Sequence, residues 1–323
     1  MSGRTNLVMQ APLSTGGQKV PQRRDSAAVL VVTTLTGASI AALQPAAAWA
    51  QLFGDKLYVL YLMGHNRRSN MLFPQRHLAE VFEHHLAIEV LQNKAQQWVK
   101  NMTGQWLPIE QILVAEGSAS EQVMAAAMKI DAELIVMGLP RAGESGPRDG
   151  LTGRQISRIV SRSHKPVLVA RTNAAATQVL AATDFTDPAF PALRYARSIA
   201  DRVGAELTFL HHVYPSYASF TALPFAAPFP RWPRDVICLK THDARQRINR
   251  LAAHFGGGIE TVVTEGDGTA SQILAEAAVR HADIIVVGAH DTGVLQRWLH
   301  RQVGVDIIEQ TTASVLVVPI DLQ

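Results

Sequence analysis

One carboxylate stands where a parallel-sheet protein could use it to bind a nucleotide. Asp184 directly follows the apolar run 179–183, which is predicted to be a strand. A carboxylate at a strand end can accept a hydrogen bond from a ribose hydroxyl or an adenine amino group. The same residue could instead form an Asx turn, or cap the helix that is predicted to start near Pro188. Both interpretations remain open from the sequence.

Two glycine-containing loops could bring backbone amides close to phosphate groups. Gly138 and Gly288 each end a predicted strand and open the loop before the last helix of a repeated unit. Glycine permits close backbone approach, and a helix amino terminus favours negative charge. The alternative is a sharp turn that needs a positive φ. The candidate residues in these loops are Gly138, Arg141, Gly153, Arg154, Gly288, His290 and Gly293.

An internal repeat organises the chain. Residues 29–36 recur as 179–186 and residues 132–138 recur as 282–288, both at an offset of 150. The closing runs 166–169 and 314–318 match at an offset of 148. One register kept over three segments indicates a duplicated domain. We predict a disordered basic leader over 1–25, one domain over 26–171, a polar linker over 172–178 and a second domain over 178–323.

Each half alternates short apolar runs with longer segments of helical spacing, which predicts a parallel sheet covered on both faces. The fold class is therefore α/β, with two doubly wound five-stranded parallel sheets of strand order 3-2-1-4-5. Ligands are expected at the carboxyl ends of the strands. The predicted strands are 28–33, 56–62, 112–115, 134–137, 167–170, 179–183, 206–211, 260–264, 284–287 and 315–319. The predicted helices are 40–53, 78–102, 120–130, 152–163, 188–203, 236–255, 270–281 and 298–310.

Composition excludes several classes of protein. The single cysteine, Cys238, rules out an intramolecular disulfide and a Cys-rich zinc module, and we interpret it as a packing residue. Outside residues 1–25 the numbers of basic and acidic residues are equal, which does not favour a nucleic-acid-binding surface. No segment has the length and apolarity of a signal peptide or membrane span, so we expect a cytoplasmic protein without membrane association. Neither a metal site nor a catalytic triad or carboxylate pair is evident, so we expect no enzyme activity.

Three motifs together resemble the universal stress protein family. They are Asp-x-Thr after the first strand, Ala-Asp-Ile-Ile-Val-Val-Gly-Ala-His over 282–290, and Ser-Val-Leu-Val-Val-Pro over 314–319. The pattern occurs in both halves and covers nearly all of residues 26–320, as in a tandem member of the family. The resemblance implies an adenine nucleotide alpha hydrolase-like fold, a role in stress adaptation, and ATP or AMP as the ligand. Val213 joins the candidate nucleotide-binding residues because it completes the family's Leu-His-Val pattern, in which we interpret His212 as structural.

Both halves depart from the family's nucleotide motif of Gly-x-x-Gly, nine residues, and Gly-Ser or Gly-Thr. In the second half Asp291 stands at the second glycine position, and Arg301-Gln302 replaces Gly-Ser. A carboxylate there would repel a triphosphate, although this half keeps Asp184 and Gly288.

The first half has lost other parts of that motif. It has Thr34 in place of the aspartate, Arg141 in place of the second glycine and Arg154 in place of the hydroxyl residue. Arginines can still hold a phosphate as bidentate donors. The nucleotide sites are thus degenerate, and parts of the second are better preserved. Two alternatives stay open: a regulatory scaffold that binds an unknown protein partner, and an ATP-cleaving enzyme of the related superfamily.

Assembly can also be predicted. Under the order 3-2-1-4-5 the fifth strands, 167–170 and 315–318, are apolar sheet edges that must be covered. Single-domain relatives pair these strands between subunits, so the resemblance implies that the two halves pair within the chain, with a homodimer also possible. The proline- and aromatic-rich segment 214–233 is interpreted as packing over the body, or as a lid or partner contact.

Overall fold

The computed structural model describes residues 27–35, 37–63, 77–139, 151–171, 176–185, 190–214, 233–289 and 296–319. The described part of the chain contains two units of alternating strands and helices. None of the helices in these ranges combines the length and apolar character that crossing a bilayer demands.

The elements of the first half are β1 (Ala28–Thr33), α1 (Gly37–Phe53), β2 (Lys56–Met63), α2 (His77–Thr103), β3 (Ile112–Glu116), α3 (Ala119–Lys129), β4 (Ala132–Gly138), α4 (Gly153–Arg162) and β5 (Val167–Ala170). The elements of the second half are β6 (Gln178–Ala182), α5 (Pro191–Val203), β7 (Glu206–Val213), α6 (Arg234–His254), β8 (Glu260–Glu265), α7 (Thr269–Val279), β9 (Ile284–Ala289), α8 (Gln296–Gln310) and β10 (Ser314–Pro319). Every predicted strand and helix is present, with boundaries shifted by a few residues at most.

The strands form one continuous sheet of ten, in the order β3-β2-β1-β4-β5-β10-β9-β6-β7-β8. Each half keeps the order 3-2-1-4-5 with parallel pairing. The expectation of two separate sheets needs correction, because the fifth strands β5 and β10 pair antiparallel and join them. Two apolar edges thereby satisfy each other's backbone groups, which leaves β3 and β8 as the outer strands.

The hydrophobic core lies on both faces of this sheet because the central strands are apolar at nearly every position. All six residues of β1 are buried. Alternate side chains point to opposite faces, so Val29 and Val31 join one core cluster while Leu30 and Val32 join the other. Helices α1, α2, α5 and α6 cover the first face, and α3, α4, α7 and α8 cover the second.

Polar contacts also tie the halves together across the β5–β10 pair. Arg171, which follows β5, is buried, and its backbone N–H donates to Ser314 Oγ at 3.2 Å. Its guanidinium donates to the carbonyl oxygen of Ile308 in the last turn of α8. A cation near a helix carboxyl terminus is favourable because the last carbonyl groups carry partial negative charge. The first half thus stabilises the end of a helix of the second.

Candidate functional site

The pairing of β6 with β9 stops before the carboxyl end of β9 in the second half, and this position is called the cleft below. Pairing between these strands ends at Ala181 and Val286, whereas β9 continues to Ala289 along its other neighbour, β10. Gly288 and Ala289 are only partly buried at this end, as is Ala182. This is the point where the crossovers diverge to the two sides of β6, which is where doubly wound sheets bind ligands.

The described residues at the equivalent point of the first half are more deeply buried. Pairing between β1 and β4 runs one residue further, to Val32 and Met137. Thr33 and Gly138 are buried there. Two loop leucines, Leu139 and Leu151, are also buried and belong to the core cluster on that face. The halves therefore differ in access to the same position of the fold.

Asp184 lies next to this cleft, two residues after the end of β6, and is partly buried. It does not cap the following helix, because α5 starts at Pro191 and its N-cap is Phe190. The local turn is formed instead by Thr183, whose hydroxyl accepts a hydrogen bond from the Phe185 N–H at 3.1 Å. Phe185 has a φ of 62°, which an L residue adopts only when its surroundings impose it. The cap interpretation of Asp184 was therefore wrong.

Aromatic rings line the side of the cleft next to Asp184. His211 in β7 stacks on Phe185 with ring centroids 4.1 Å apart, and its Nδ1–H donates to the Thr183 carbonyl at 2.8 Å. The Arg247 guanidinium of α6 lies over the Phe185 ring at 4.6 Å. Burial lowers the pKa of His211 and Arg247 adds to this, while the Thr183 hydrogen bond and Asp184 oppose it. The ring is therefore neutral near pH 7, with Nε2 as an acceptor.

The end of β7 is tied to the neighbouring edge strand. His212 Nδ1 lies 3.1 Å from Thr264 Oγ1 of β8, which fits the structural role expected of it. Burial, and secondarily the neighbouring His211, lowers the pKa of His212. Val213 is buried and pairs with Glu265. Because β6 ends at Ala182, the backbone of Val213 has no β6 residue opposite it on the cleft side.

The first half has neither the carboxylate nor the imidazoles at these positions. Thr34 follows β1 where Asp184 follows β6. Tyr61 and Leu62 stand where the second half has His211 and His212. The backbone turn is nevertheless repeated, because the Thr33 hydroxyl accepts from the N–H of the next residue but one at 2.9 Å. The duplication has kept the local fold and lost the polar groups.

The glycine-loop candidates are only partly described. Gly138 ends β4, and Gly153 and Arg154 open α4, whose amino terminus carries a capping box between Thr152 and Gln155. A Cβ on Gly153 would approach only Glu309 Oε1, at 4.0 Å, so packing against the described residues does not require glycine there. Arg154 is exposed. The candidates Arg141, His290 and Gly293 lie outside the described residues, as does most of the segment 214–233.

The sequence analysis did not identify three residues of this candidate site, Phe185, His211 and Arg247. The adjacent histidines at the end of a predicted strand were the available signal for His211, but Arg247 is remote in sequence. Cys238 is exposed in α6, so its interpretation as a packing residue was wrong. Within the described ranges, no group of three or more His, Cys, Asp or Glu side chains is placed to hold a metal ion.

Comparison with known proteins decides the family. The sequence model of the universal stress protein family matches residues 27–171 and again residues 176–319. The chain belongs to the universal stress protein family. It is a tandem member, since the two matches together cover most of its length. No curated protein sequence matches the chain.

Solved structures share the fold of this tandem universal stress protein. A universal stress protein from Archaeoglobus fulgidus DSM 4304 is 19% identical, with 91% of this chain and 98% of that chain covered at a TM-score of 0.62. A functionally unknown protein from Pseudomonas aeruginosa PAO1 is 17% identical, with 90% and 92% covered at a TM-score of 0.56. At these identities the comparison shows a common fold, and the structural match extends over nearly the whole of both solved chains.

Proposed function

We propose that this tandem universal stress protein acts in stress adaptation as a nucleotide-binding protein. Its second half would bind an adenine nucleotide, ATP or AMP, in the cleft between β6 and β9. The observation that carries this proposal is the asymmetry of the two halves. The second half combines Asp184 with partly exposed Ala182 and Gly288, whereas Gly138, Leu139 and Leu151 of the first half are all buried.

The chemistry of the cleft suits the polar edge of a nucleoside. The Asp184 carboxylate can accept from a ribose hydroxyl or from the adenine amino group. His211 Nε2 offers a second acceptor because Nδ1–H is committed to the Thr183 carbonyl. Gly288 has no side chain to keep a ligand away from the β9 backbone. The proposal is for binding rather than catalysis, because it uses Asp184 and His211 only as hydrogen-bond acceptors.

Titration calorimetry on the full chain tests this proposal, with ATP, AMP and cAMP as ligands. Asp184→Ala removes the carboxylate and should weaken binding about tenfold or more, since hydrogen bonds to charged groups contribute about 1.5–3 kcal/mol. Thr34→Ala alters the same position of the first half and is the matched control. It should leave the affinity unchanged. Equal effects of the two substitutions would contradict the assignment to the second half.

A second candidate function is a regulatory scaffold that binds a protein partner and no nucleotide. The observation that favours it is the contact of His211 and Arg247 with Phe185, because side chains of the protein itself then occupy one side of the cleft. Under this alternative none of the three nucleotides binds the wild-type chain. Phe185→Ala, which removes the central ring, would then leave that result unchanged.

A further inference from the structure

A cavity of about 320 Å³ lies in the first half, at the amino ends of the strands and therefore at the opposite end of the sheet from a nucleotide cleft. Its volume is at the lower end of the range for small-molecule sites. The floor is apolar, with Ala50, Leu57 and Leu107 buried. Residues from α1, the α1–β2 turn, the start of β2 and the α2–β3 connection line it: Ala47, Ala50, Gln51, Asp55, Lys56, Leu57, Gln105, Leu107 and Gln111.

The second half carries an arginine at the position that corresponds to the cavity wall. The α1–β2 and α5–β7 segments match residue for residue at an offset of 150, with the same turn glycine at φ 70° in Gly54 and Gly204. Ala47 on the cavity wall thus corresponds to Arg197 of α5. The Arg197 guanidinium donates to Gly257 O of the α6–β8 connection at 3.2 Å, and its Nε lies 2.9 Å from Asp201 Oδ2.

The polar lining of the cavity can replace those guanidinium partners. Gln51 stands where the second half has Asp201, and Asp55 supplies a carboxylate from the neighbouring turn instead. Gln105 and Gln111 add amide oxygens from the connection that corresponds to the one bearing Gly257. Lys56 also lines the cavity and is exposed to solvent. Carboxylate and amide oxygens around an apolar floor suit a planar cation with several N–H donors.

We infer that this cavity is a binding site for a guanidinium group. The ligand chemistry has two sources: a small guanidinium compound, or an arginine of this chain. Arg23 and Arg24 belong to the second source because they precede Ala27, whose carbonyl accepts from the Lys56 N–H at 2.9 Å on the cavity wall. The inference is independent of nucleotide binding, since it concerns the other half and the other end of the strands.

The test is a titration of the full chain with methylguanidinium, followed by calorimetry and by the NMR signals of the glutamine side-chain amides. Methylammonium and urea serve as the compact cation and the neutral planar control, and both should bind at least about tenfold more weakly. The titration is repeated on the double variant Arg23→Ala/Arg24→Ala. Binding to the wild type identifies a small-molecule site, and binding to the double variant alone identifies the chain's own arginines as occupants. Absence of binding in both overturns the inference, as does equal binding of urea.

Two substitutions exchange the residue types of the equivalent positions Ala47 and Arg197. Ala47→Arg places the side chain of Arg197 at the equivalent position, so it should occupy the cavity, weaken methylguanidinium binding about tenfold or more, and leave the melting temperature equal or higher. Ala48→Arg, one position along α1 at an exposed residue outside the cavity, is the matched control and should retain binding. Arg197→Ala should add a second methylguanidinium site in the other half. Unaltered binding in Ala47→Arg, or a marked fall in its melting temperature, contradicts the inference.

Discussion

Leu168 of β5 lies opposite Leu316 of β10, and the two leucines are the same residue of the internal repeat. The flanking pairs are related in the same way, because Val167 lies opposite Val317 and Val169 lies opposite Val315. A pseudo-two-fold axis therefore passes through this pair of leucines. On the helical layer, Arg202 of α5 donates to Leu52 O of α1 at 2.9 Å, and these residues are also repeat equivalents.

The first prediction concerns this junction. Because β10 lies between β5 and β9, each of its N–H groups points towards a neighbouring strand. Leu316→Pro removes one donor from that ladder and should uncouple the halves, so that urea unfolding changes from one transition to two. Leu316→Ala is the control, since it keeps the N–H and should lower the free energy of unfolding by about 2–5 kcal/mol within a single transition. A single transition in the proline variant would contradict the prediction.

A second prediction separates the two glycines that end β4 and β9. Gly288→Val places a branched side chain at the partly exposed cleft and should abolish nucleotide binding to the full chain. Gly138→Val alters the buried equivalent, so it should lower thermal stability and leave nucleotide affinity unchanged. Calorimetric titration and thermal melting of both variants provide the check. The reverse pattern would assign the ligand to the first half.

The third prediction concerns the pH dependence of stability through His211. Its pKa is lowered in the folded state, mainly by burial, so the unfolded chain binds the proton more readily. Stability from this group is present above the unfolded pKa of about 6.5 and is lost as pH falls through the folded value. Asp184, Arg247 and His212 are the charged or titratable neighbours that set the window.

His211→Phe keeps a ring against Phe185 and removes the titration. Urea denaturation at several pH values between 7.5 and 5 should show a shallower loss of stability in this variant, by up to about 1.4 kcal/mol per pH unit. His212 also has a lowered pKa, so part of the slope should remain. An unaltered slope would show that His211 is equally protonated in the folded and unfolded chains.

The fourth prediction concerns the start of β6, where the second half begins. Asp283 Oδ2 accepts from Thr177 N at 2.7 Å, from Thr177 Oγ1 at 2.9 Å and from Gln178 N at 3.0 Å. Burial would raise the pKa of Asp283, but these hydrogen bonds prevail and lower it. Its contribution is therefore present above the unfolded pKa of about 3.9 and is lost as pH falls through the folded value.

Asp283→Ala should cost about 1–3 kcal/mol of unfolding free energy at pH 7, because it leaves backbone N–H groups without their acceptor. Asp283→Asn retains one amide oxygen and should cost less. Chemical denaturation of both variants at pH 7 measures the difference. Equal stability of the alanine variant and the wild type would show that water replaces the carboxylate at no cost.

The sequence by itself determined the elements, the repeat and the strand order within each half. Buried strands such as β1 form nearly continuous apolar runs, and this local signal does not depend on what packs against them. The motifs that resemble the universal stress protein family, at Asp184 and in the closing strands, are likewise short segments of sequence. Assignment to the universal stress protein family followed from such short motifs.

Tertiary structure alone decided how the elements meet. Whether Asp184 caps a helix or faces a cleft depended on α5 starting at Pro191, and the contacts among Phe185, His211 and Arg247 join residues distant in sequence. The pairing of β6 with β9 ends one residue earlier than that of β1 with β4, and a cavity lies beside Ala47 where the second half has Arg197. Both are differences in packing between copies of one pattern. Hydrophobic periodicity is a property of the sequence itself, whereas clefts and cavities between side chains depend on how the strands and helices pack together.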